Sequence, residues 1–351
     1  MKSLPNPDRD PTAVSRKKDH IELAFESRVE AHELDDRFNY EPLKSPHPAP
    51  GSLPPLPFLG KTLRTPIWVS SMTGGTGHAG TINRNLARAC AEFGMGMGLG
   101  SCRQLLSGDK HLADFDVRGT LGPELPLYAN LGVAQVEQLL AKRETGRIDA
   151  LIERLRADGL IVHINPLQEA MQPEGDRLRQ SPLSTLEALL KNAAFPVIVK
   201  EVGQGFGPAS LHALMQLPLA AIEFGAAGGT NFSKLELQRG EAEKQRIFAR
   251  FASVGHTASE MLDHTNQFHS ALAKKLRVRQ LILSGGVADF LDGYYLIQKS
   301  VIPAVYGQAS SFLKHARGEY EPLRRYVAAQ VRGLELAFAF LTLKEKKLNL
   351  L

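Results

Sequence analysis

The chain has 351 residues, of which 43% are hydrophobic and 23% charged, a soluble globular balance with ample material for a core. Lys and Arg outnumber Asp and Glu by 42 to 37, and a formal charge of +5 tolerates an anionic substrate but is too thin to argue for nucleic acid. Two cysteines exclude a disulfide framework and a zinc site. The apolar run at 336–341 is far too short to cross a bilayer, and MKSLPNPDRDP carries no apolar h-region, so a cytoplasmic protein is expected.

Residues 1–15 are polar and contain prolines. A helix is predicted over 19–30, with Ile21, Leu23, Ala24 and Phe25 as its apolar face. Between 42 and 66 the prolines of PLKSPHPAPGSLPPLPFLG predict an extended connection. No internal repeat interrupts this reading. From 66 onward, short apolar runs alternate with amphipathic stretches, the rhythm of βα units that build a parallel sheet. Eight candidate strands follow: TPIWVSSMTGG, GMGMGLGS, LPLYANLG, GLIVHINP, FPVIVKEVG, LAAIEFGAAGG, RQLILSGGV and IPAVYGQAS. Helices are predicted over 82–93, 134–141 and 148–157, and the long connection 230–281 predicts an inserted helical element. Eight strands in roughly 250 residues predict an α/β fold, a (β/α)8 TIM barrel with an N-terminal extension. The expected division is 1–65 for the extension and connection, 66–318 for the barrel, and 319–351 for a C-terminal helix. A doubly wound sheet is disfavoured, because neither GMGMGLGS nor GQGFG has the G-x-G-x-x-G spacing.

In a barrel the loops at the C-terminal ends of the strands converge on one mouth. Here the strands end in Ser71-Met72-Thr73, Ser101, Asn130, His163 with Asn165 and then Gln168 and Glu169, Lys200-Glu201, Gly228-Gly229-Thr230, Gly285-Gly286 and Gly307-Gln308. One polar strand end means little, but eight describe a lined active-site mouth. The glycines ending strands seven and eight let backbone N–H groups approach an anion closely, at the usual phosphate site of barrels. Lys200 follows Val197-Ile198-Val199, and a lysine buried there needs an anionic partner. Flavin mononucleotide meets both demands, with its phosphate at strands seven and eight and its anionic ring edge near the lysine.

The blocks RKKDHIELA, SSMTGG, NRNLARACAEFGMGMGLGSCR, ANLG, VHINPLQEAMQPEGD, PVIVKEVGQGFG, AAGGTNF, SGGV and GQASSFLKHA occur in order over about residues 15–316. In them the chain resembles the type 2 isopentenyl-diphosphate Δ-isomerases, FMN-dependent barrel enzymes of isoprenoid synthesis. The resemblance implies a redox-neutral 1,3-proton shift between isopentenyl and dimethylallyl diphosphate, with reduced FMN, Mg²⁺, and NAD(P)H as the reductant. It places Ser71, Met72 and Thr73 along the flavin and has Ser101, Asn130, Lys200 and Thr230 bonding to it. Gly285, Gly286, Val287, Gln308 and Ala309 would hold its phosphate. Arg16, Lys17 and Arg103 match positions that meet the substrate diphosphate, Gln168 the substrate-contacting glutamine, and Glu169 the metal ligand.

Residue chemistry is consistent with these roles. A glutamine amide has no useful acid or base form near neutral pH, so Gln168 orients the isoprenoid while the cofactor carries the proton. Glu169 alone is a poor cage, but Mg²⁺ often takes one carboxylate, waters and phosphate oxygens. A lone His163 on an inward strand face would ordinarily be a core residue, yet within HINPLQE it and Asn165 are assigned to the substrate side. Cys90 reads as core. Two departures from the family pattern stand out: Glu223-Phe224-Gly225 replaces the usual Asp-Val-Ser, and Cys102 stands between Ser101 and Arg103 where the family has Gln. The rival reading, an FMN oxidoreductase of the α-hydroxyacid oxidase type, needs a His and an Arg that AAGGTNFSKLE does not supply. The N-terminal segment suggests a homo-oligomer in which it completes a neighbour's site.

Overall fold

The computed structural model describes residues 12–71, 78–272 and 275–344. These fall into two compact units, 12–40 with 342–344, and 41–341. In the first, a helix runs from Ala13–Leu23 and a 3₁₀ turn from Ala31–Glu33. Lys344 N donates to Arg37 O at 2.9 Å, tying the two pieces of this unit together. The helix predicted over 19–30 therefore lies several residues earlier than expected. Its supposed apolar face finds no core, since Ile21 is 73% and Phe25 85% exposed. Helix formers such as Arg16, Lys17 and Lys18 decide the position instead.

The second unit is a closed barrel of eight parallel strands: β1 Ile67–Val69, β2 Gly96–Gly98, β3 Leu127–Gly132, β4 Gly159–Ile164, β5 Val197–Glu201, β6 Ala221–Glu223, β7 Leu281–Ser284 and β8 Ala304–Gln308. Each pairs with the next in sequence and β8 returns to β1, as the alternation of apolar runs and helices predicts. This unit also takes in the proline-rich connection and the long helix Tyr320–Phe340. The connection after β6 holds the expected inserted helices, Phe232–Arg239, Ala242–Phe248 and Ala258–Leu272.

Strand glycines near the bottom of the barrel serve packing. Trp68 on β1 is fully buried and meets Phe58 and Tyr128 edge-on at centroid distances of 6.5 and 6.2 Å. A Cβ at Gly96 would lie 2.5 Å from the Trp68 ring, so the glycine leaves the space the indole fills. Higher up, the register pairs Gly132 with His163, His163 with Lys200, and Lys200 with Glu223. Residues paired across parallel strands share a face, so polar side chains from β4, β5 and β6 converge on one level of the barrel.

Candidate active site

Where β6 and β7 end, the backbone itself forms the wall. Gly285, Gly286 and Gly228 have φ of +95°, +72° and +105°, a region that side chains rarely adopt. A Cβ at Gly285 would collide with Ala226 O, and one at Gly228 would come within 3.0 Å of Gly286 Cα. The two loops thus touch backbone to backbone and line a cleft of about 770 Å³. Ser71, Lys200, Thr230, Val287, Gln308 and Ala309 complete it, so eight of the twelve residues expected at a cofactor meet there. Met72 and Thr73 lie outside the described residues. Ser71 Oγ is buried without a hydrogen-bond partner, which suits a polar ligand in the cleft. Gln308 contributes less directly than expected. Its amide donates to Val287 O and Ala288 O (3.1 and 3.2 Å) and accepts from Tyr326 OH at 2.9 Å, so its side chain holds the β7 loop.

A second cleft of about 490 Å³ shares Ser71, Lys200, Val202 and Phe232 with the first and adds Ser101, Asn130, His163 and Gln168. Side chains build this wall, and most are already bonded to one another. Asn130 Nδ2 donates to Leu99 O at 3.0 Å, which turns Oδ1 toward His163 Nδ1 at 2.7 Å. That assigns the proton to Nδ1 and leaves Nε2 as an acceptor. Burial, helped by the positive charge of Lys200, lowers the His163 pKa to about 4, so the ring is neutral near pH 7. On the short helix Pro166–Met171, which follows β4, Gln168 Oε1 accepts from Asn165 Nδ2 at 3.2 Å. Its Nε2 donates to Glu236 Oε1 at 3.4 Å. Asn165 Oδ1 is buried and unpaired.

Glu236, on the helix after Gly228-Gly229-Thr230, has no counterpart among the predicted site residues. Its ion pair with Arg239 at 2.6 Å is a helical i,i+3 spacing that reads in sequence as a surface pair, and only its burial sets it apart.

Glu169 accepts from Asn165 Nδ2 through Oε1 (2.9 Å) and from Asp176 N through Oε2 (2.7 Å). Among the described residues no three metal-ligating side chains gather. Each oxygen of Glu169 keeps a lone pair, so the chain fits a divalent cation carried chiefly by a ligand's own oxygens and does not supply a protein cage. Arg103 stands apart from both clefts. It pairs with Asp176 at 3.3 Å and lines a neighbouring cavity of about 680 Å³ with Gln135, Gln138, Lys142 and Arg147. Arg16 and Lys17 are exposed on the helix of the other unit.

Both departures from the family pattern have structural reasons. Gly225 has φ +53°, and a Cβ there would run into Glu201 O, so a serine does not fit this backbone. Ser284 Oγ from β7 accepts from Gly225 N at 3.0 Å instead. Cys102 is buried with Sγ 3.3 Å from Gly100 O, and burial pushes its thiol up to about 12, which makes it an inert core residue. Cys90 is likewise buried, as expected.

Glycine-walled loops at the ends of β6 and β7, a buried lysine and a polar wall at β4 line the mouth of a (β/α)8 barrel. Its fold resembles that of a flavocytochrome b2 double mutant with pyruvate bound (TM-score 0.56, 13% identity, 95% of this chain and 84% of that one). It also resembles a mandelate oxidase variant with 2-hydroxy-phenylacetamide (TM-score 0.52, 14% identity, 89% and 85%). At these identities the likeness concerns the fold alone. No family model matches the chain. Curated relatives do: the isopentenyl-diphosphate delta-isomerase of Rickettsia felis is 33% identical over 316 residues, covering 86% of this chain and 85% of that protein. The enzyme of the same name from Synechococcus sp. is 34% identical over 326 residues, covering 92% and 90%. The chain belongs to the isopentenyl-diphosphate Δ-isomerase family.

Proposed function

We propose that this protein converts isopentenyl diphosphate to dimethylallyl diphosphate by a redox-neutral 1,3-proton shift, with reduced FMN in the barrel cleft and Mg²⁺ held mainly by the substrate diphosphate. One observation carries the reading. A cleft walled by glycine backbone adjoins a cleft walled by bonded polar side chains, and Ser71, Lys200, Val202 and Phe232 line both. The cradle of Gly285, Gly286 and Val287 suits the phosphate of a mononucleotide, and Lys200 suits an anionic ring edge. When bound, reduced FMN supplies an electron-rich ring able to exchange a proton with an unactivated alkene.

The chain's own part is orientation. Glu236 fixes the rotamer of Gln168, drawing Nε2 toward itself and leaving Oε1 to Asn165. Asn130 fixes His163 with Nε2 bare, so a neutral acceptor faces the substrate half. Glu169 offers its remaining lone pairs to a metal bound with the diphosphate, while Arg103, Arg16 and Lys17 are assigned to the diphosphate itself. NAD(P)H is the proposed reductant and a homo-oligomer the proposed assembly. Among the described residues, no helix is long and apolar enough to cross a membrane. Hydroxyacid oxidation is disfavoured, because the segment AAGGTNFSKLE after β6 supplies neither the base histidine nor the carboxylate-binding arginine that chemistry needs.

The test is an anaerobic assay with isopentenyl diphosphate, FMN, NAD(P)H and Mg²⁺. The expected result is dimethylallyl diphosphate formed over many turnovers from one flavin reduction. Loss of one reduced flavin per product would refute the redox-neutral reading.

A further inference from the structure

Below the cleft, β6 carries a carboxylate with no part in the steps above. Glu223 is fully buried. It lies in register with Lys200, and its Oε1 is 3.9 Å from Lys200 Nζ and 3.3 Å from Ser284 Oγ. Ser70 and Trp68 complete its surroundings. Yet Oε2, Ser70 Oγ and Trp68 Nε1 are all buried without a hydrogen bond that meets normal geometry. Among the described residues, only Ser284 meets Glu223 with normal hydrogen-bond geometry, and Ser70 and Trp68 lie close by. A buried carboxylate is costly unless an opposite charge balances it, and the ammonium of Lys200 is the charge it faces. Lys200 Nζ also donates to Glu201 O at 2.6 Å and lines both clefts. The ammonium thus meets a buried carboxylate that lines neither cleft and itself lines both clefts. A glutamine would fill the same volume and still accept from Ser284, so packing alone does not call for an acid at this place.

We propose that Glu223 is a positioning residue that shares the charge of Lys200 and so sets how strongly the ammonium favours anionic reduced FMN over the oxidised form. The inference rests on the FMN reading above. The oxidised ring takes up two electrons and one proton to reach its anionic reduced form, a net gain of one negative charge. Lys200 favours that gain, and a carboxylate beside its Nζ offsets part of the effect.

The protein freed of flavin is titrated anaerobically with oxidised FMN and with FMN reduced by dithionite, and the midpoint potential is read against a redox dye. In Glu223→Gln, which keeps shape and removes charge, reduced FMN should gain about tenfold over oxidised FMN relative to wild type. That equals an upward shift of about 30 mV for a two-electron couple. Glu223→Asp keeps charge and loses shape, and its ratio should stay within about threefold of wild type, because Coulomb energy varies only inversely with distance. A purely structural role reverses that order, leaving Gln like wild type and Asp disturbed, and would overturn the proposal. If Glu223→Gln does not fold, Glu223→Asp decides alone, and a ratio displaced by more than threefold counts against it. Failure of the wild type to bind FMN is a separate result, visible before any variant is made. It removes the FMN reading and this inference with it.

Discussion

The two halves of the cleft are built on opposite principles. At β6 and β7 the wall is backbone, with Gly228, Gly285 and Gly286 in left-handed conformations that bring two loops into direct contact. At β4 the wall is side chain, with Asn130 bonded to His163 in one group and Asn165, Gln168 and Glu236 bonded in sequence in another. A backbone wall is rigid and indifferent to most nearby side-chain changes, but it fails if a Cβ is added. A side-chain wall tolerates added bulk nearby, but it loses its function when one polar group goes. The first arrangement suits a resident group held through many cycles, and the second suits a substrate that must be turned and released.

The largest effect should come from breaking the backbone half. Gly285→Ala forces a strained φ and a collision with Ala226 O, at a cost of about 2–4 kcal/mol. Denaturant melts should show that loss, and fluorescence titration should show FMN binding weakened by at least about 30-fold, in line with it. Gly146, where a Cβ would meet open space at the start of a helix, is the control, and Gly146→Ala should leave FMN binding unchanged and lose no stability.

Breaking the side-chain half should have the converse pattern. Gln168→Ala should lower kcat by about 100-fold, the scale of losing an orienting contact at the reacting centre, while FMN affinity stays within about twofold. A matching loss of FMN affinity would mean that the two halves are not separable.

The halves should also part on pH. His163 has its folded pKa depressed to about 4 by burial, below the 6.5 of a free imidazole. Above 6.5 both folded and unfolded chains hold it neutral. As pH falls from 6.5 to 4 the unfolded chain binds the proton first, so stability is lost across that window. Because part of the ring meets solvent, the loss is on the order of 1–3 kcal/mol. His163→Gln should flatten that part of the curve in denaturant melts, whereas Gly146→Ala should leave it intact. At Glu169 the change should be smaller again. Glu169→Gln keeps the shape and one of the two acceptor oxygens but removes the charge, so half-maximal Mg²⁺ should rise about tenfold with FMN binding unaltered.

How much of this could be read in the sequence follows the same division. Backbone constraints leave a mark, because only glycine occupies φ near +95° without strain, and SGG and AAGG display it. Lys200 was also readable, since three apolar strand residues before a lysine imply burial. Glu223, Glu236 and Tyr326 were not readable, because their meaning lies in partners brought near by barrel closure. Glu223 meets Ser284 across 61 positions, and Glu236 meets Gln168 across 68. The N-terminal helix was misplaced for a different reason. Apolar residues at 21–25 mimic an amphipathic face, but no core lies against them in the described unit.

The smallest expected effect tests whether the backbone half is supported from behind. Tyr326 lies on the helix Tyr320–Phe340, packs its ring on His315 at 4.6 Å, and donates through OH to Gln308 Oε1. Gln308 in turn holds Val287 O and Ala288 O, the loop that carries the cradle. Removing the hydroxyl in Tyr326→Phe keeps the ring stack and deletes one neutral hydrogen bond, worth about 1 kcal/mol. If the bond fixes the Gln308 amide, FMN should bind about threefold to fivefold more weakly, and kcat at saturating FMN should not change. Gln308→Leu removes both downstream bonds and should weaken FMN by a further step in the same direction. An effect of Tyr326→Phe that persists undiminished in the Gln308→Leu background would show that Tyr326 acts by another route, since two residues in one chain of bonds must be non-additive.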